Sequence, residues 1–282
     1  MSSIIQPKFT NSLLNNKIKS AYESALEERD YITKRYNNEV KSLDTGWSKI
    51  NELTMNGLEF GTVVTISGMS GPGKTLFLNQ LEDNLFNLNR DVDFDILNLN
   101  FEMLSRRLIG RKISGKIHKS VKELYSASEN ALTVDDMNFI NEYVESFKNK
   151  NIFYMEMTDT IDKIREVIIN FAKERKIISS DRKLIVTLDH SLLIRRKTGQ
   201  SVLDALGELM ETINILKKVL QDKILFILVS QLNRNIEASD RIAPAQNKLH
   251  LMYPQKSDLY GSERNCFLLN FCLYIIKYKK LG

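Results

Sequence analysis

An apolar, β-branched run, Val63-Val64-Thr65-Ile66-Ser67, leads directly into Gly68-Met69-Ser70-Gly71-Pro72-Gly73-Lys74-Thr75, and a helical pattern follows from Lys74 to Leu88. No other segment restricts the possible folds of this chain as strongly. The run satisfies Gly-x4-Gly-Lys-[Ser/Thr] in the strand-then-helix setting such a loop requires, which makes it a P-loop. Its glycines let successive backbone N–H groups turn inward, and the helix behind adds its positive N-terminal end. The matching occupant is the phosphate chain of ATP. Lys74 would reach the phosphates and Thr75 would offer its hydroxyl to Mg²⁺, with Gly68, Met69, Ser70, Gly71, Pro72 and Gly73 forming the cradle.

The segments around this loop continue in the same rhythm. Ile96–Phe101, Ile152–Met157, Leu184–Leu188 and Ile224–Val229 read as strands, whereas Ile161–Arg175 and Val202–Leu220 read as helices. Strands alternating with helices imply crossover units, and therefore an α/β fold with a mostly parallel sheet flanked by helices. Ahead of this pattern, Asn11–Val40 contains no Gly or Pro and spaces Leu13, Ile18, Ala21, Ala25 and Tyr31 at roughly helical intervals. It reads as a helical arm, whether it packs on its own domain or reaches elsewhere. The expected division is an arm over 1–42 and an ATPase domain over 43–282.

Composition bounds the setting. Of 282 residues 43% are hydrophobic and 27% charged, the balance of a globular chain able to bury a core. The longest apolar stretch, Cys266–Ile276, is interrupted by Asn270 and falls short of the ~20 residues a bilayer-spanning helix needs, so no membrane partner is expected. The N-terminus lacks the pattern of a secretory signal, which points to a cytoplasmic location. The two cysteines, Cys266 and Cys272, have no matching His or Cys cluster and read as reduced core thiols rather than zinc ligands. The net charge of +5 suits a polyanionic partner and equally suits simple solubility.

Further candidate residues stand at the ends of the other strands, where parallel sheets gather ligand groups. Glu102 closes Asn98-Leu99-Asn100-Phe101-Glu102 and is placed to orient an attacking water, although a Glu at a helix start also complements the dipole. Asp189 ends the apolar run Leu184-Ile185-Val186-Thr187-Leu188 in the Walker B pattern and is the candidate metal partner of Thr75. Gln231 follows Ile224–Val229 and Ser230 and could sense the γ-phosphate. Two cationic loops come after strand ends: Arg195-Arg196-Lys197, and the segment from Arg234 to Lys256. They are candidates for contact with nucleic-acid phosphates, or plain solvated cations.

Together these segments resemble the ATPase domain of the DnaB-like hexameric replicative DNA helicases of bacteria and phages, over about Leu43 to Ser262. The likeness is carried by Thr45-Gly46 with Gly57-Leu58-Glu59-Phe60-Gly61, by Phe101-Glu102-Met103, by Ser230-Gln231-Leu232-Asn233-Arg234, and by Ser257-Asp258-Leu259 with Gly261-Ser262. The resemblance implies a RecA-like fold and Mg-ATP bound by Lys74, Thr75 and Asp189. It implies that Glu102 activates water, that Gln231 couples nucleotide state to the loop beyond it, and that Arg111 corresponds to a family arginine. It also implies a homo-hexameric ring around single-stranded DNA, with the arm docking on a neighbour and a primase or loader as a further partner. Two departures stand out. No separate N-terminal helical domain precedes the arm, and the segment after Ser262 does not follow the family's strands, which leads us to expect a truncated or split version with weak ATPase activity. Competing readings are a recombinase-like or clock-type ATPase whose cycle drives assembly, and a nucleotide-gated DNA-binding module that hardly hydrolyses.

Overall fold

The computed structural model describes residues 18–69, 71, 73–126, 131–189, 193–232, 254, 258 and 271–275. Its centre is a six-stranded sheet in the order β3-β2-β4-β5-β1-β6. The strands are β1 (Val63–Gly68), β2 (Phe94–Asn100), β3 (Ile152–Met155), β4 (Lys183–Asp189), β5 (Ile224–Gln231) and β6 (Phe271–Ile275). Every pairing between them is parallel. Residues of both parities are buried along β1 and β2, because helices cover both faces of the sheet. The expected mostly parallel, helix-flanked architecture is therefore observed.

One face is covered by α3 (Lys74–Leu88), which packs Leu78, Leu81 and Leu85 onto Val64, Ile66, Ile96, Ile185 and Ile227. On the other, α7 (Ile161–Glu174) and α8 (Val202–Leu220) bring Ile164, Ile168, Leu209, Ile213 and Leu216 against Leu97, Leu99, Val186, Phe226 and Leu228. The i, i+3/i+4 spacing of these side chains lets one stripe of each helix meet the sheet. α8 starts where the Ser201 side chain accepts a hydrogen bond from the Asp204 N–H.

Several element limits differ from the sequence expectation for identifiable reasons. β2 begins at Phe94 rather than Ile96, since Asp95 lies inside the strand, fully buried and paired with Arg175 at 2.6 Å. β3 ends at Met155 rather than Met157, because Glu156 leaves the ladder and accepts a hydrogen bond of 2.6 Å from the Ser105 N–H. That bond caps α4 (Ser105–Lys116), which with α5 (Val121–Tyr125) and α6 (Val134–Ser146) fills the connection from β2 to β3. β6 lies beside β1, so part of the Cys266–Ile276 stretch joins the sheet edge. Cys266 itself is outside the described residues.

The described part of the arm is α1 (Ala21–Tyr36), opened by a capping box between Ser20 and Glu23. It buries no residue and is held to the body by polar contacts, among them Arg35 to Glu59 at 3.0 Å. A short α2 (Ser48–Leu53) follows it, and an antiparallel bridge between Leu43 and Leu58 closes this segment before β1. Among the described residues no helix is long and apolar enough to cross a membrane.

Candidate nucleotide-binding site

The carboxyl ends of β1, β2, β4 and β5 open into a cleft of about 1040 Å³ whose lining includes Lys74, Thr75, Glu102, Asp189 and Gln231. β1 delivers the loop, since Gly68 is its last residue and α3 begins at Lys74. Gly73 caps that helix with φ +99°, a left-handed conformation that a side chain would strain. Ser70 and Pro72 lie outside the described residues. Lys74 turns back over the loop and its Nζ donates to the carbonyl oxygens of Gly68 at 3.0 Å and Met69 at 2.6 Å. Burial pushes this ammonium below its ordinary pKa, while the carboxylates of Asp189 and Glu102 act in the opposite direction.

Asp189 is the last residue of β4 and is 4% exposed. Its Oδ2 accepts a 2.9 Å hydrogen bond from Thr75 Oγ1 on α3, so residues far apart in sequence form one oxygen pair. Its backbone carbonyl accepts from the Phe101 N–H at 3.0 Å, which ties the end of β4 to the turn carrying Glu102. Glu102 is exposed to the cleft just beyond β2, and Asn100 shapes the turn by donating its Nδ2 to the Met103 carbonyl. Gln231 ends β5 directly opposite Gly68 in the ladder to β1. Hydroxyl and carboxylate oxygens placed side by side next to an anion-accepting loop are the hard donors Mg²⁺ prefers, so the residues fit the Mg-nucleotide that the motif implies.

The cleft also contains groups that the motifs did not single out. Asn79, one helical turn beyond Thr75, lines it while 4% exposed, and its Nδ2 has no partner among the described residues. The far wall comes from α4 and the turn after it, with Arg111, Ser114, Gly115 and His118. Arg111 was marked by the resemblance alone. His118, at φ 55° in a turn, left no pattern in the sequence, and Asn79 follows the apolar run Leu76-Phe77-Leu78 with no motif to mark it.

The basic loops are only partly placed. Arg195 and Arg196 are exposed beyond β4. Lys197 is also exposed but is engaged by Asp162 at 2.8 Å and Glu208 at 2.6 Å. These three are not among the residues lining the cleft. Arg234 and nearly all of the segment up to Lys256 lie outside the described residues.

The family model for the DnaB-like helicase C-terminal domain matches residues 42–262. A solved ATPase domain is similar in structure, with a TM-score of 0.68 at 19% identity, covering 94% of this chain and 87% of that one. A DnaB-like replicative helicase solved for its interactions with primase also gives a TM-score of 0.68, at 17% identity, over 92% of this chain. The match takes in 57% of that longer protein. At these identities the likeness is one of fold, and the fold is RecA-like. No curated protein sequence gives a match.

Proposed function

The chain belongs to the DnaB-like helicase C-terminal domain family, and on that premise we propose that it is an ATP-hydrolysing subunit of a replicative DNA helicase. Residues 43–282 would form its ATPase domain and 1–42 its arm. It would work as a homo-hexamer that couples hydrolysis to translocation along single-stranded DNA, with a primase or loader as a further partner. The observation that supports this reading best is the meeting of Thr75 and Asp189 in the cleft that also holds Lys74 and Glu102.

When ATP binds, Lys74 exchanges the carbonyls of Gly68 and Met69 for phosphate oxygens, which are stronger acceptors for an ammonium. The loop N–H groups and the start of α3 complete the cradle. Thr75 and Asp189 would hold Mg²⁺, which neutralises charge on the β- and γ-phosphates when bound. Glu102 orients a water for in-line attack and accepts its proton. Gln231, one strand away from Asp189 on the neighbouring β5, reports the state of the γ-phosphate to the chain that follows it. Arg195, Arg196, Lys197 and Arg234 would contact DNA phosphates, and Lys197 would first have to leave Asp162 and Glu208.

The test uses two variants and an ATPase assay with and without single-stranded DNA. Lys74→Ala is expected to lose both ATP binding and turnover. Glu102→Gln is expected to bind ATP as the unaltered chain does while kcat falls roughly 100-fold or more. Turnover that survives Glu102→Gln would remove Glu102 from the role given to it. A separate titration addresses DNA: replacing Arg195 and Arg196 with Ala should weaken binding to oligo(dT) and flatten its dependence on salt, by about 0.7 in log–log slope for each phosphate that is no longer neutralised.

A further inference from the structure

On the face of the sheet covered by α3 lies a group of charged residues with Glu82, Asp83 and Lys112 at its buried centre. Glu82 on α3 and Lys112 on α4 meet at 2.8 Å with both side chains 1% exposed. Glu82 also accepts a 2.7 Å hydrogen bond from Asn98 Nδ2 on β2. Next to them Asp83 takes Lys150 at 3.1 Å, Lys116 at 3.3 Å and the Tyr143 hydroxyl at 3.2 Å. Burial alone would raise the Asp83 carboxyl, yet Lys112, Lys150 and Lys116 hold it below its ordinary pKa.

The three elements joined by Asn98, Glu82 and Lys112 are among those that furnish the cleft. α3 begins with Lys74 and Thr75, β2 runs into the turn bearing Glu102, and α4 starts just after that turn and carries Arg111 next to Lys112. A buried ion pair is a poor means of adding stability, because a well-packed apolar pair of similar volume usually serves as well or better. What it adds is direction: Glu82 can satisfy Asn98 and Lys112 together only at one relative placement of β2, α3 and α4. We propose that the Asn98–Glu82–Lys112 tie is a positioning device for ATP hydrolysis, fixing the reach from the phosphates held by Lys74 and its loop to Glu102. This inference rests on the hydrolysis reading above, and none of the three residues lines the cleft itself.

The decisive variant replaces the pair by apolar residues, Glu82→Leu with Lys112→Met, and is compared with the unaltered chain by thermal denaturation, ATP affinity and steady-state hydrolysis with oligo(dT). The expected result is an unchanged or higher Tm, ATP affinity within about twofold, and kcat at least about tenfold lower, since small misplacements of a reacting group cost that much. Lys112→Arg, which keeps the charge and the donor, should retain most of the rate. Should the double variant fail to fold, Asn98→Leu cuts the β2 link and leaves the ion pair in place, with the same fall in kcat at constant KM expected. Unaltered kcat in the stable variant would reduce the tie to packing and overturn the inference. A parallel loss of ATP affinity would also overturn it, because the tie would then shape the phosphate loop instead of Glu102. If the unaltered chain binds ATP without turning it over, the proposed function falls first and takes this inference with it.

Discussion

Gly57 and Gly73 both sit at positive φ, but the structure asks different things of them. At Gly57, φ is +134° and an added Cβ would lie 2.3 Å from the Leu43 carbonyl oxygen, a backbone atom locked in the bridge to Leu58. At Gly73, φ is +99° and the nearest atom to an added Cβ is 4.0 Å away, so backbone strain is the whole cost. Gly57→Ala should therefore lower the free energy of unfolding by about 2 kcal/mol or more, combining strain with a clash that no rotamer relieves. Gly73→Ala should cost about 1 kcal/mol, yet weaken ATP binding because the loop N–H groups lose their inward turn. Urea denaturation and ATP titration on the two variants check this contrast. Equal stabilities would show that the Leu43–Leu58 bridge yields to the new methyl group.

At the scale of elements, α6 carries its own pH sensitivity. Thr133 and Asp136 form a capping box at its start, and Asp136 also pairs with Lys119 at 2.9 Å. The hydrogen bonds from the Thr133 N–H, Lys119 and the Thr133 hydroxyl lower the Asp136 carboxyl from 3.8 to about 2. A depressed carboxylate pKa favours the folded state above the unfolded value and loses that effect as pH falls through the folded value. Asp136→Asn should thus lower Tm near neutral pH, and the gap to the unaltered chain should close between pH 3.8 and about 2. A gap independent of pH would assign the effect to helix propensity instead. Which elements were legible follows from similar physics. β1, β4 and β5 are apolar runs ended by Gly68, Asp189 and Gln231, and α3, α7 and α8 repeat their apolar residues every three or four positions. Lys74, Thr75, Glu102, Asp189 and Gln231 could be brought together on paper because each stands at or just beyond a strand end. The connection through α4, α5 and α6 was opaque. There Val134 is 77% exposed while Lys112 is buried against Glu82 of α3, so hydropathy and burial part company, and pairing between distant charges leaves no local pattern. Asp95 hid the start of β2 in the same way.

For the molecule as a whole, the question is what covers α1. Leu26, Tyr31 and Arg35 are its half-buried residues, and Tyr31 and Arg35 reach back to Glu59 on the body. Tyr22, Ala25, Arg29, Ile32 and Tyr36 form a separate stripe at helical spacing, and Tyr22, Ile32 and Tyr36 are 72%, 57% and 86% exposed. A single exposed apolar side chain is ordinary, whereas a stripe of them is the kind of surface that another protein can cover. In the proposed ring that surface would lie on a neighbouring copy, and burying it would contribute about 25 cal/mol for each Å² of apolar area removed from water. Charges introduced there should break assembly while leaving the subunit intact. Ile32→Glu with Tyr36→Glu is therefore expected to keep the Tm of the isolated subunit and its ATP affinity, because neither residue packs in the core. In sedimentation velocity with Mg-ATP and single-stranded DNA, the unaltered chain should run as a hexamer and the double variant as smaller species. If the variant assembles as fully as the unaltered chain, α1 lies outside the subunit contact and the ring must be held through the ATPase domain. If its Tm falls instead, the stripe packs on its own body, and the arm is part of the fold rather than of the assembly.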